Sequence, residues 1–540
     1  MVVIMTILLN ALSAFMLLAQ THAAAAQAHA KDLAARAVAG NADAALELAH
    51  AYDEGDGVPK DLAQAFTWFV KAAALGSREG QEQEGYRELM GIGTAANPAM
   101  ALEAFRKATG SGSGYAAQEI GWMYENGRGV PQNDEMAVQW YQRAVQQGQT
   151  EACGSLGWLT ENGRGTPKDD AQAAKLYYMG ADAKDPVSQD NLGWLCVEGR
   201  GVTGKNYALA MTLFRESAAQ GNARAEGNIG YLYEHGLGVA ADPAQARHWL
   251  GLSSDHGDLK SQLYLGRTYL SGALGERDPG RAIHYSLLAA KQDSQQGLAD
   301  LAFEISFAND PVPDNAKAAF PFLKASAEKH EALAFAPLGI CYLRGIGTPA
   351  DEAQARTWLM KAAQDPKLSG ILFRPCQMLT TGRNGYPKDP DLAQDLIRAA
   401  STAGNANAQI QLAKMNPDPT KSLTELRALS DGGNAAASYE LGLRYQNGDR
   451  VPLNAKEALV LFHSSASNGY PEAMYHLGVL YQAGILVKRD ETQAAAWYEK
   501  AKAAGHPLAD ARFQPDGSLA PLVNPTASTQ SFQIQTTTAK

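Results

Sequence analysis

The chain is poor in cysteine, in strand-forming runs and in basic clusters, and each shortage excludes a class of protein. Four cysteines in 540 residues, Cys153, Cys196, Cys341 and Cys376, are too few and too unevenly placed for a disulfide framework. In an oxidising compartment two pairings are open, Cys153 with Cys196 and Cys341 with Cys376. The preferred reading is that all four are small, buried apolar side chains. Long alternating runs of Val, Ile and Thr are missing while alanine abounds, which favours helices over sheet. Lys and Arg number 47 against 57 Asp and Glu, a net charge of -10, and no Lys/Arg cluster interrupts the acidic balance. A duplex-binding surface needs such a cluster, so nucleic acid is not an expected partner.

The first 30 residues hold no Asp, Glu, Lys or Arg. Residues 2–19 are nearly all apolar and small residues follow, an order that resembles a secretory signal with cleavage after Ala23 or Ala30, although the basic leading region is missing. An uncleaved N-terminal anchor is the alternative. Export, most simply to the periplasm, is the expectation, with secretion or anchoring as variants. No later segment is long and apolar enough to cross a membrane.

Residues 196–210, CVEGRGVTGKNYALA, look like a phosphate loop. Gly199, Gly201 and Gly204 satisfy G-x-G-x-x-G, and Lys205 follows, with Asn206 where a magnesium-binding hydroxyl would stand. A phosphate cradle needs a strand before the glycines and a helix after them. The same glycines recur in ENGRGVPQND, ENGRGTPKDD and EHGLGVAADP, always at the joint between two helical patterns. They are therefore read as turn glycines, and no nucleotide or other cofactor is expected.

The recurrence organises the chain. Unit ends fall at Gly40, Gly76, Gly112, Gly148, Lys184, Gly221, Gly257, Asp293, His330, Asp365, Gly404, Gly433, Gly469 and Gly505, mostly about 36 residues apart, giving about thirteen units. In the clearest unit Ala117, Ile120, Gly121 and Tyr124 share one helical face, and Ala137, Trp140, Tyr141 and Ala144 share another. Gly127 and Gly129 stop the first helix, and Asn133 or Asp134 caps the second. The fold expected is all-α, a right-handed solenoid superhelix of helix-turn-helix repeats.

The pattern seen in GWMYENGRGVPQND with AVQWYQRAVQQG, and again in LGVLYQAGILVKRDETQAAAWYEKAKAAG, resembles the Sel-one-like repeat family of tetratricopeptide-like α-solenoids. The resemblance spans nearly everything after the leader. It implies a non-catalytic protein-interaction scaffold, and bacterial relatives imply a place in the cell envelope: polysaccharide export, control of wall-processing enzymes or contact with a host. The expected layout is an export region over 1–30, a solenoid over 31–364, irregular repeats with a bend or hinge over 365–433, C-terminal repeats with a cap over 434–513, and a disordered Pro/Ser/Thr/Gln-rich tail over 514–540.

Few residues suggest chemistry. Ser326 to Lys329 fit the S-x-x-K of serine acyl-enzymes, and cysteine-rich relatives are linked to penicillin binding, so a penicillin-interacting hydrolase is a distant alternative. The motif falls at the end of a second helix and no K-T-G accompanies it. His330 and Glu331 begin an H-E-x-x-H, but Ala334 stands where the second histidine is required, and no metal site is expected among the eleven histidines. The candidate partner-binding residues are Trp122, Trp158, Trp194 and Tyr231, which follow the first-helix glycine in four consecutive units. Trp122 falls about 140° from Ala117 on the helical wheel, away from the partner helix. Packed neighbouring helices would hold the four rings roughly 10 Å apart along a groove. The run serves either packing between units or docking of a protein; a ladder for polysaccharide or peptidoglycan is the alternative ligand reading.

Overall fold

The computed structural model describes residues 25–309, 311–514 and 518–521. The leader expected over 1–30 and the tail over 514–540 lie largely outside these residues. Thirteen helix pairs follow one another, from Ala42–Glu54 with Leu62–Ala74 to Pro471–Ala483 with Glu491–Ala503. Among the described residues there is no strand, only an isolated bridge between Phe513 and Leu519. Below, the first member of a pair is its leading helix and the second its trailing helix. The chain forms two compact units, Met1–Leu265 and Gly266–Lys540, which divide within the helix Leu259–Ser271.

Side-chain caps and left-handed residues set the helix ends. The leading helix Gly114–Asn126 starts at Ser113, whose hydroxyl accepts the Ala116 N–H, and stops at Gly127 with φ 66°. The trailing helix Asp134–Gln146 starts at Asn133, whose side chain accepts the Met136 N–H, so Asn133 and not Asp134 is the cap. Where a unit's final glycine is replaced, the backbone keeps the same turn: Lys184, Asp293 and His330 have φ of 65°, 58° and 64°. A side chain in that region costs about 1–2 kcal/mol. Lys184→Gly is accordingly expected to raise stability by about 1 kcal/mol in denaturant titrations.

Two further glycines fix how helices pack. Gly121 and Gly157 are ordinary helical residues, yet a Cβ there would lie 2.7 Å from the Tyr141 ring and 2.6 Å from the Tyr177 ring. Each tyrosine is fully buried and donates its hydroxyl to the leading helix, Tyr141 to Glu125 at 2.7 Å and Tyr177 to Glu161 at 2.9 Å. The second turn glycine does the inter-unit work. A Cβ on Gly129 would meet Pro98 at 2.5 Å, and one on Gly165 would meet the Asp134 carbonyl at 2.3 Å. These two joints therefore rest on the first residue of the preceding trailing helix.

The single helix over 25–38 covers the first pair. Ala30, Leu33 and Ala37 are buried against Ala44, Ala45 and Leu48, and a Cβ on Gly57 would meet the Ala26 carbonyl at 2.5 Å. Chain removal after Ala30 would strip part of this cover, whereas removal after Ala23 leaves it whole.

In the second compact unit the irregular repeats depart from strict neighbour packing. The Tyr386 hydroxyl donates to the Ser306 carbonyl at 3.2 Å and Arg374 donates to Asn309 at 2.7 Å, so the tenth pair reaches the eighth. The pair Ala406–Met415 and Pro419–Asp431 is joined by three residues, with Asp418 capping the second helix. All of 365–433 is packed helix and short turn. At the C-terminal end, Ala520 takes a hydrogen bond from Gln482 at 2.9 Å, so residues 518–521 fold back on the last leading helix.

All four cysteines are buried free thiols, and burial pushes Cys341 and Cys376 up to about 12. The alternative pairings do not form, because the partners differ in register. Cys153 lies ten residues before its turn glycine and Cys196 three before its own, about two helical turns apart along the stack. Cys341 and Cys376 lie four and six residues before Gly345 and Gly382, a difference of two residues in register.

Candidate interaction face on the leading helices

Trp122, Trp158, Trp194 and Tyr231 stand at one register of successive leading helices in the first compact unit, each five residues before its turn glycine. Their surroundings differ. Trp122 is 38 % exposed, while its neighbours Ile120, Gly121 and Met123 are buried. Trp158 is half-buried against the cluster holding Tyr141, Leu156 and Leu159, and the Arg164 guanidinium lies 4.9 Å over its ring. Asp134 holds that guanidinium with two hydrogen bonds of 2.8 and 2.7 Å. Trp194 and Tyr231 pack on each other with ring centroids 5.6 Å apart, closer than the spacing expected from the helices alone, and both pack against the buried cluster that holds Leu195 and Leu232. The run is therefore not a uniform ladder.

Trp122 opens beside a residue missing from the sequence reading. Tyr86 precedes Gly91 by five residues, as Trp122 precedes Gly127, and is 37 % exposed. Counting back from the turn glycine, instead of following tryptophan, finds it. Between the helices Arg78–Met90 and Gly114–Asn126 lies a recess of about 250 Å³, lined by Tyr86, Leu89, Met90, Gln118, Glu119 and Trp122, with Tyr141 and Ser155 completing the lining. The Gln118 carbonyl oxygen is buried there with no hydrogen-bond partner. Burial raises the Glu119 carboxyl above its ordinary range. A second recess of about 440 Å³ between trailing helices is lined by Gln142, Val145, Gln146, Gln172 and Leu176 and presents no aromatic ring.

The motifs that suggested chemistry do not assemble. A Cβ on Gly201 would lie 2.0 Å from the Asp170 carbonyl oxygen, so the previous unit fills the space a phosphate would need. Arg200 in the same loop is taken by Glu161, Glu198 and Asp170 at 2.5, 2.6 and 3.2 Å, and Asn206 caps the helix Tyr207–Ala218. Ser326 is buried whereas Lys329 is exposed at the helix end, and His330 supplies the left-handed turn. Among the described residues no three His, Cys, Asp or Glu side chains gather as metal ligands, and no helix is long and apolar enough to cross a membrane.

A family model, the Sel1 repeat, matches residues 42–77, 114–149, 150–185, 186–222, 223–258, 259–294, 338–365, 373–405, 435–470 and 471–506. The three helix pairs between these matches are Arg78–Met90 with Pro98–Gly110, Gln295–Phe307 with Asp314–Glu328, and Ala406–Met415 with Pro419–Asp431. A protein of Neisseria meningitidis serogroup B is 26 % identical over 246 residues, 46 % of this chain and 51 % of that protein. Mouse protein sel-1 homolog 2 is 26 % identical over 170 residues, 30 % of this chain and 25 % of its own length. The chain thus spans about half or less of these relatives. Among solved structures, a protective antigen of uropathogenic Escherichia coli displaying an SLR fold aligns over 88 % of this chain and 99 % of its own at 23 % identity, with a TM-score of 0.49. A Sel1 repeat protein from Oxalobacter formigenes aligns over 40 % of this chain and 85 % of its own at 30 % identity, with a TM-score of 0.38. With matched repeats over more than half of its length and successive helix pairs in each compact unit, the chain belongs to the Sel1-repeat family of α-solenoids, whose members generally mediate protein–protein interaction.

Proposed function

We propose that this protein is a non-catalytic scaffold of the bacterial cell envelope that docks a protein partner on the leading-helix face around Tyr86 and Trp122. The observation that carries the reading is the recess between two leading helices, floored by Leu89 and flanked by two large rings that folding leaves more than a third exposed. Buried aromatic anchors of this kind supply much of the binding energy at protein interfaces. Export is supported by the uncharged apolar run over 2–19 and the small residues after it. A glycan ligand is the second reading, and Gln118, Glu119 and Ser155 beside Trp122 favour it by offering polar groups next to a stacking ring.

Tryptophan replacement separates docking from packing. Trp122→Ser is expected to leave thermal unfolding unchanged and to abolish recovery of crosslinked partners from a periplasmic fraction. Trp158→Ser and Trp194→Ser remove half-buried rings and should instead cost about 1–2 kcal/mol of stability. A Trp122→Ser protein that keeps its protein partners overturns the docking reading, and loss of glycan-array binding in place of protein partners transfers the site to the second one.

A further inference from the structure

The six leading helices of the first compact unit wholly within it, from Ala42–Glu54 to Ala223–His235, carry fifteen Asp or Glu and three Lys or Arg. Their six trailing helices carry seven of each. The acidic excess therefore sits on the leading helices, which also carry the aromatic run. Several of these carboxylates already have partners within the chain: Asp53 with Arg87, Glu79 with His50, Glu161 and Glu198 with Arg200, Asp190 with Arg224. Glu119 forms no ion pair among the described residues and lines the recess three positions from Trp122.

The next repeat shows what such a pair can hold. Over Trp158 lies a guanidinium, Arg164, anchored by a carboxylate, Asp134. Arg128 is the counterpart of Arg164 one unit earlier, but the counterpart of Asp134 is Pro98, so no carboxylate fixes Arg128 over Trp122 and it stays exposed. Of the five tyrosine and tryptophan rings at this register, Tyr86 included, only Trp122 has a carboxylate three positions before it on its own helix, and that carboxylate and the ring line the same recess. Cations over tryptophan faces and charge-assisted hydrogen bonds to carboxylates reinforce one another in such a site.

Resting on the docking reading above, we infer that the partner presents a Lys- or Arg-bearing polypeptide segment, its cationic side chain lying on Trp122 and pairing with Glu119 while an apolar neighbour fills the recess against Leu89 and Met90. Electrostatic complementarity across the leading-helix face adds speed to the encounter and selects against acidic segments.

A displayed library of random twelve-residue peptides, selected on the full chain, is the probe. Selected peptides should carry net positive charge with Lys or Arg next to an apolar residue. Glu119→Gln should weaken their binding at least fivefold, whereas Glu135→Gln, the same charge change on an exposed trailing helix, should leave it unchanged; melting curves confirm that both variants fold. Peptides that need Trp122 but are neutral or acidic, or that ignore Glu119→Gln, overturn this inference and leave the docking face standing. Peptides whose binding survives Trp122→Ser overturn both.

Discussion

Gly201→Ala is expected to destabilise the first compact unit by about 3 kcal/mol, an effect outsized for one added methyl group. Two costs combine. The residue has φ 66°, a conformation that costs a side chain about 1–2 kcal/mol. The new Cβ would also lie 2.0 Å from the Asp170 oxygen and 2.5 Å from its carbonyl carbon, backbone atoms that no rotamer change can move. The fourth and fifth pairs must then separate, and overpacking of that kind costs about 1–3 kcal/mol more. Gly221→Ala supplies the control, since its φ is 83° but nothing lies within 4 Å of the added carbon. It should cost only the backbone share, about 1 kcal/mol. Chemical denaturation of the two variants checks the difference, and equal losses would refute the inter-unit contact. The unsubstituted chain tests the phosphate-loop reading: 1 mM ATP should leave its melting unmoved, whereas a micromolar site would add about 4 kcal/mol.

Gly157→Ala is expected to cost about 2 kcal/mol even though alanine is the better helix former by about 1 kcal/mol. The cause is the Tyr177 ring, which approaches within 2.6 Å of the added carbon and is pinned by its hydrogen bond to Glu161. A clash with a pinned ring forces the two helices apart. In a Gly157→Ala, Tyr177→Leu double mutant the clash is gone, so the two changes should cost less together than their sum by about 1 kcal/mol or more. Strict additivity in urea titrations would contradict the close packing.

Much of this arrangement is legible in the sequence because each repeat states it again. Gly127 and Gly129 read as the stop of the first helix, and Asn133 or Asp134 as the cap of the second, from the properties of those residues alone. What stays hidden depends on neighbours rather than periodicity. A helical wheel drawn for one pair places Trp122 and Trp158 alike, but Asp134 in the preceding unit covers one ring with Arg164 while Pro98 leaves the other bare. The lean of Trp194 onto Tyr231 and the reach of Tyr386 to Ser306 are likewise contacts between units. Tyr86 was within reach of the sequence, since its distance from Gly91 gives its register.

Hydroxyl-radical footprinting of the full chain with a selected peptide bound tests the docking face most directly. Trp122, Tyr86 and Met90 lie on leading helices at 38, 37 and 56 % exposure, and Met100, Tyr178 and Met179 lie on trailing helices at 45, 47 and 48 %, so the two sets start with comparable access. Binding should suppress oxidation of Trp122, Tyr86 and Met90 and leave the other three unchanged. Protection of Met100, Tyr178 or Met179 with Trp122 still fully reactive would contradict it.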